Sequence, residues 1–182
     1  GDSKITATRI AFAIATYHGT LVADQTAWDR YEAGDATALS ERALHGWRKL
    51  QSFHCTACHA PPLFTNNDFA NIGVRRADFD RGRELVTGDP EDAGEMKVPS
   101  LRNVALRPRY MHTGEFTSLA AAIRFYVTAP AFPERDAIPG AGLYTFNMSG
   151  IDESDIRAFL DSGLTDPRVR AEAARAAAEV ND

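Results

Sequence analysis

Cys55 and Cys58 are the two cysteines of this 182-residue chain, and His59 follows them directly in Cys55-Thr56-Ala57-Cys58-His59. Two thiols three positions apart with an imidazole beside them form the C-x-x-C-H pattern of covalent c-type haem attachment. Each thiol can add to one vinyl group of a haem, and the histidine then lies under the iron as its proximal ligand. Other chemistries use paired cysteines. A structural zinc site commonly takes four ligands, and no second Cys or Cys/His pair stands at a suitable spacing. A thioredoxin-type dithiol needs a βαβ setting, whereas the flanks here suggest a helix entering, ERALHGWRKLQSF, and a loop leaving, APPLFTNNDF. A disulfide between the two would staple nothing larger than one turn. One covalent haem c is therefore the expected cofactor.

The formal net charge of −5 weighs against nucleic acid and anionic lipid as partners. With 44% hydrophobic residues the length suffices to bury the core of one domain. No stretch is long and apolar enough to span a membrane. Thioether attachment takes place on the outer face of the bacterial inner membrane, so a periplasmic, exported location is expected. The start GDSKITATRI lacks a basic region followed by an apolar run, and reads as a mature end or the start of a fragment.

Helices must position the motif. Ile10, Ala13, Ile14, Tyr17 and Leu21 recur at three- and four-residue steps and predict an amphipathic helix over 6–21 whose stripe faces a core. Residues 23–38 read as a linker with at most a turn of helix around Trp28 to Tyr31. A helix capped by Ser40 runs to Phe53 and delivers the chain into the motif. From Ala60 to Val98, Gly, Pro and Asn interrupt every period, and a loop of this length is usually functional or wrapped around something. A haem would give Leu63, Phe64, Phe69, Ile72 and Phe79 their apolar surface. Thr117 or Ser118 caps a helix through Val127, Ser149 or Asp152 opens another that Gly163 ends, and the alanine-rich tail is helical to Val180. Trp28 and Trp47 are core packing by default. His18, His45 and His54 lack a motif and read as surface or helix residues.

The run KVPSLRNVALRPRYMHTGEFTSLAAAIRFY, from Lys97 to Tyr126, resembles the C-terminal haem domain of bacterial di-haem cytochrome c peroxidases and MauG-like proteins. AIATYHGTLVADQTAWDRYEAGD is similar to that family's inter-domain helix and linker, and FLDSGLTDPRV to its closing helix. The resemblance implies an all-α, cytochrome c-like haem domain with an additional N-terminal helix and long haem-wrapping loops. The domains expected on that basis are 1–39, inter-domain helix and linker; 40–168, the haem domain; and 169–182, a helical tail. It also implies a second haem in an N-terminal domain or second haem-bearing chain, which this sequence, with one motif, does not contain. The implied function is to relay electrons or store oxidising equivalents from peroxide reduced at that second haem. A small redox protein or a protein substrate would be the further partner, and a homodimer is compatible. The alternative is a mono-haem electron carrier without peroxidase activity. An open distal position with His112 as acid/base is a third reading.

The resemblance also assigns residues. The family's distal ligand follows the histidine of Tyr-x-His-x-Gly, here His112, by fourteen positions, which gives Tyr126. The residue is methionine in the peroxidases and tyrosine in MauG. A phenolate favours ferric and higher-valent iron, whereas a thioether favours reduced iron. By spacing alone Tyr126 reads as a core tyrosine; Met111 is the chief rival ligand, ahead of Met96 and Met148. Arg102 is offered to a haem propionate, with a surface salt bridge as the alternative. His112 is placed near the haem edge or domain interface. The carbonyls of Arg107 and Arg109 are offered to an inter-domain calcium whose other donors belong to the absent domain. Thr113 replaces the family's usual aspartate and Met96 its usual phenylalanine.

Overall fold

A computed structural model describes residues 4–128 and 147–179. In chain order its helices are α1 (Ala7–His18), α2 (Ala27–Glu32), α3 (Glu41–Ser52), α4 (Glu84–Thr87), α5 (Leu119–Thr128), α6 (Gly150–Ala158) and α7 (Pro167–Glu179). A two-residue antiparallel ladder joins β1 (Phe69–Ala70) to β2 (Met96–Lys97), with Phe69 opposite Lys97. The all-α class expected from the sequence holds.

Caps decide where the helices begin. The Ser40 hydroxyl accepts from Ala43 N and opens α3. Ser149 and Asp152 both act at α6, as the two halves of a capping box. Thr26 and Asp29 form a second box at α2, which lengthens the expected single turn of helix. Ser118 caps α5, accepting from Ala121 N at 3.1 Å. Asp166 precedes Pro167 and accepts from Arg168 N at 2.9 Å, starting α7. The tail is helical to Glu179; Val180 lies outside the described residues.

The core forms where α3 meets α6. A Cβ on Gly46 would lie 1.9 Å from the Asp155 carbonyl oxygen, so the missing side chain is what lets the two backbones touch. Beside this contact the Trp28 and Trp47 rings sit 4.5 Å apart, and both meet Phe64 and Phe159 at 5.4–5.9 Å. Packing is thus the role of both tryptophans. After α6 the helix widens into a π turn over Phe159–Gly163 that keeps Phe159, Leu160 and Gly163 buried.

Acidic residues on α6 tie it to its neighbours. Asp152 pairs with Lys49 at 2.9 Å, Asp155 with His45 at 2.7 Å and Arg42 at 3.1 Å, and Glu153 with Arg124. The hydrogen bond from Lys49 holds the Asp152 carboxyl down to about 2, and the bond from Arg168 does the same for the fully buried Asp166.

One expectation fails here. The apolar stripe of α1 meets no core among the described residues: no α1 residue is buried, with Ile10 50%, Ile14 51% and Tyr17 63% exposed. The helix stands on local bonds, including the Thr6 cap, which sequence periodicity cannot distinguish from a helix seated on a core.

Gly46→Ala should cost about 1–3 kcal/mol, the usual penalty of overpacking, while Gly150→Ala, which meets nothing within 4 Å, should be neutral or mildly stabilising; thermal denaturation of both variants tests this. Because the folded pKa values of Asp152 and Asp166 lie below the ordinary 3.8, their stabilisation is complete above that value and fades as pH falls toward about 2. Asp152→Asn and Asp166→Asn should therefore be less stable than wild type in denaturant titrations near neutral pH, with the gap closing across the acid range.

Candidate haem site

The chain leaves α3 at Phe53, and His54 takes the left-handed conformation at φ 56°, which turns it into a 3₁₀ turn over Cys55–Ala57. His59 N then donates to Cys55 O at 2.9 Å, closing the motif on itself. Both cysteines are free thiols and half-buried. Burial pushes the Cys55 thiol up to about 12. A dithiol built for exchange needs a thiolate, so this neutral sulfur suits attachment better than redox cycling. Among the described residues no group of three or more His, Cys, Asp or Glu side chains is placed to hold a metal.

His59 is the centre of the site. Its Nδ1 lies 3.1 Å from Pro99 O and 3.2 Å from Phe64 O. Carbonyl oxygens only accept, so Nδ1 carries the proton and Nε2 keeps the lone pair that a metal needs. Burial lowers the His59 pKa, and this outweighs the opposing effect of the two carbonyls. The ring is consequently neutral at neutral pH. Neutral imidazole with a fixed tautomer, two unoxidised thiols beside it and one apolar flank fit a covalent haem.

The two carbonyls come from separate irregular stretches that are sewn together. The Thr65 hydroxyl donates to Val98 O at 2.7 Å, Ser100 Oγ donates to Leu63 O at 2.5 Å, and Leu101 N donates to Phe64 O at 3.2 Å. Sequence reasoning passed over Phe64 and Pro99 because backbone acceptors leave no residue-type signal; a loop returning beside the motif was the available hint.

The structure corrects the expectation for Phe64. Its side chain is fully buried among Trp28, Trp47 and Phe159, and only its carbonyl serves the site. Leu63 and Phe79 are 53% and 81% exposed, and Phe69 lies under the Arg83 guanidinium at 4.6 Å. Arg102 makes a salt bridge, the alternative to a propionate, but largely out of solvent. Nε donates to Pro62 O at 2.9 Å, Nη1 to Ala23 O and Asp29 Oδ2, and Nη2 to Asp29 Oδ1 at 2.6 Å. These bonds occupy all but one Nη2 hydrogen, because Arg102 and the Asp29 cap meet inside the chain.

Tyr110 N bonds Phe116 O at 2.9 Å and closes the loop that carries Met111 and His112, with Met111 left-handed at φ 59°. His112 Nε2 lies 3.1 Å from Asp80 Oδ2. That loop leads into α5, where Tyr126 is half-buried with its ring edge-on to Phe125 at 5.7 Å. Met96 lies in β2 and Met148 packs against the core, while Arg107 and Arg109 are exposed. His45 is bound to Asp155, so it is structural.

MauG of Methylophilus methylotrophus is 32% identical over 165 residues, 89% of this chain and 48% of that protein. The chain is a homologue in the MauG and cytochrome c peroxidase family. Cytochrome c551 peroxidase of Nitrosomonas europaea is 32% identical over 127 residues, 68% of this chain and 38% of that one. A solved MauG-like protein associated with microbial copper homeostasis superposes with a TM-score of 0.72 at 25% identity, covering 91% of this chain and 59% of its own. The diheme peroxidase BthA from Burkholderia thailandensis does so at 0.62 and 25%, covering 79% and 47%. The cytochrome c-like fold follows. No family model matches the chain. The chain spans about half the length of the curated relatives it matches.

The holoprotein should retain one haem mass on the polypeptide after acid–acetone extraction, and replacing both Cys55 and Cys58 by Ser should release the haem into the acetone.

Proposed function

We propose that this chain is the six-coordinate c-type haem module of a MauG-like or di-haem peroxidase-like oxidoreductase, exported to the periplasm. The observation that carries the proposal is His59: its Nδ1 proton is committed to two carbonyls, directly beside two free thiols of an attachment motif. Cys55 and Cys58 would hold the vinyl carbons, and His59 Nε2 and Tyr126 would be the residues that hold the iron. When bound, the haem supplies a one-electron redox centre.

The chain's own residues set how that centre behaves. The carbonyls of Phe64 and Pro99 keep the proton on Nδ1 and add electron density to the ring. Tyr126 would serve the iron as a phenolate, an anion that favours the oxidised metal. The buried aromatic cluster holds the Phe64 ring and with it the loop that carries this carbonyl. In this reading the module exchanges electrons with a second haem outside the chain, where peroxide is reduced. The exposed apolar side of α1 supports a neighbouring half, as does the chain's coverage of half its relatives' length. The carbonyls of Arg107 and Arg109 would contribute to calcium only together with donors from that half.

Tyr126→Phe should convert the ferric spectrum to a high-spin or water-ligated form and raise the reduction potential, while Met111→Leu should leave the spectrum nearly unchanged. A sulfur-to-iron charge-transfer band in the wild type that vanishes in Met111→Leu would overturn the assignment and favour the electron-carrier reading. The isolated holoprotein should turn over peroxide no faster than free haem, because six ligands leave peroxide no place on the iron.

A further inference from the structure

We infer that Arg102 and Asp29 are positioning residues for the proximal histidine: their ion pair fixes, from α2, the two loops whose carbonyls receive the His59 Nδ1 proton. The inference rests on the reading of His59 as iron ligand. Phe64 and Pro99 lie in no helix or strand, so no ladder sets the distance of their carbonyls from the imidazole. Apart from the backbone bond of Leu101 N to Phe64 O, side-chain bonds set it.

Arg102 reaches both loops. It follows Pro99 by three residues, and its Nε donates at 2.9 Å to the carbonyl of Pro62, two residues before Phe64. Its fork then closes on Asp29 at 2.6 and 2.9 Å. The carboxylate is itself held, because Thr26 donates to it from N at 2.9 Å and from Oγ1 at 2.7 Å. Burial alone would raise the Asp29 pKa, but the bonds from Arg102 and Thr26 outweigh it and keep the group ionised. α2 is anchored in turn by Trp28, 3% exposed in the aromatic cluster. The Arg102 side chain is only 11% exposed, so water competes weakly for its donors. The Thr65 and Ser100 bonds join the loops to each other, whereas Arg102 joins them to a helix.

The chemical consequence follows from the acceptors. A carbonyl that takes the Nδ1 proton strongly makes the imidazole a better donor to metal, and stronger donation favours the ferric state. Releasing the loops lengthens those bonds and removes that bias.

The test compares holoproteins. Arg102→Met, of similar length without the fork, should shift the midpoint potential upward and quicken hydrogen exchange of the hyperfine-shifted His59 Nδ1 proton. Asp29→Asn should shift both readouts the same way, and the double variant no further than the larger single change, since the pair acts as a unit. Asp29→Glu, which keeps the carboxylate, should recover most of the wild-type potential. Arg42→Met, which breaks the pair between the exposed Arg42 of α3 and the nearly buried Asp155 of α6, serves as a control that lowers stability and leaves the potential in place. Should Arg102→Met not fold, Asp29→Asn decides alone. Covalent haem in every variant with unmoved potentials would overturn the inference and leave the haem reading intact. Wild-type protein without covalent haem would overturn both.

Discussion

Four aromatic rings hold the molecule together. Trp28 comes from α2, Trp47 from α3, Phe64 from the loop after the C-x-x-C-H motif and Phe159 from the π turn, and each ring touches the other three. Edge-to-face contacts of this kind add about 0.5–1.5 kcal/mol per pair beyond the area they bury. Their larger effect is geometric. Phe64 is buried by its ring while its carbonyl faces His59, so the position of an acceptor for the His59 ring is inherited from the packing of a core side chain. A short irregular loop gains the precision of a helix in this way.

Charge works on the second tier. α6 carries Asp152, Glu153 and Asp155 in succession, all nearly buried, and each is matched by a cation or histidine on α3 or α5. Solvent-exposed ion pairs contribute little, but a carboxylate already withdrawn from water costs several kcal/mol once its partner is removed. Such pairs select one rotation of α6 against α3, the rotation in which Gly46 lies under the Asp155 carbonyl. The ion pair between Arg102 and Asp29 has the same character on the other side of the core.

Helices with caps were legible in the sequence because the cap residues sit at fixed offsets from an apolar period. Ser40, Ser118 and the Ser149/Asp152 box all fall where their spacing puts them. The attachment motif was legible for the same reason, its chemistry residing in residue types. Acceptors in the backbone, such as Phe64 O and Pro99 O, carry no such label. Arg102 was noticed, with a salt bridge as one of its two readings, yet Asp29 was not named as its partner, since 73 residues separate the two along the chain. Asp29 serves both its own cap and Arg102, and only the folded chain brings them together. The failure at α1 has a different origin: periodicity reports that a face is apolar and says nothing about whose surface covers it.

The π turn has a consequence for how this chain can change length. A π turn amounts to one extra residue wound into an α-helix. The wider turn winds about 100° less than ordinary α winding of the same residues would, so it absorbs the extra residue and leaves the chain beyond in phase. In that phase Leu164 O meets Asn103 N, and Asp166 meets Gln25 N and Asn103 Oδ1, at 2.8–3.2 Å. The π turn is therefore a phase setting: tightening it to α winding at an unchanged residue count would swing the closing helix away from the linker and the loop it now meets, whereas losing one residue between Phe159 and Gly163 would leave that helix where it is.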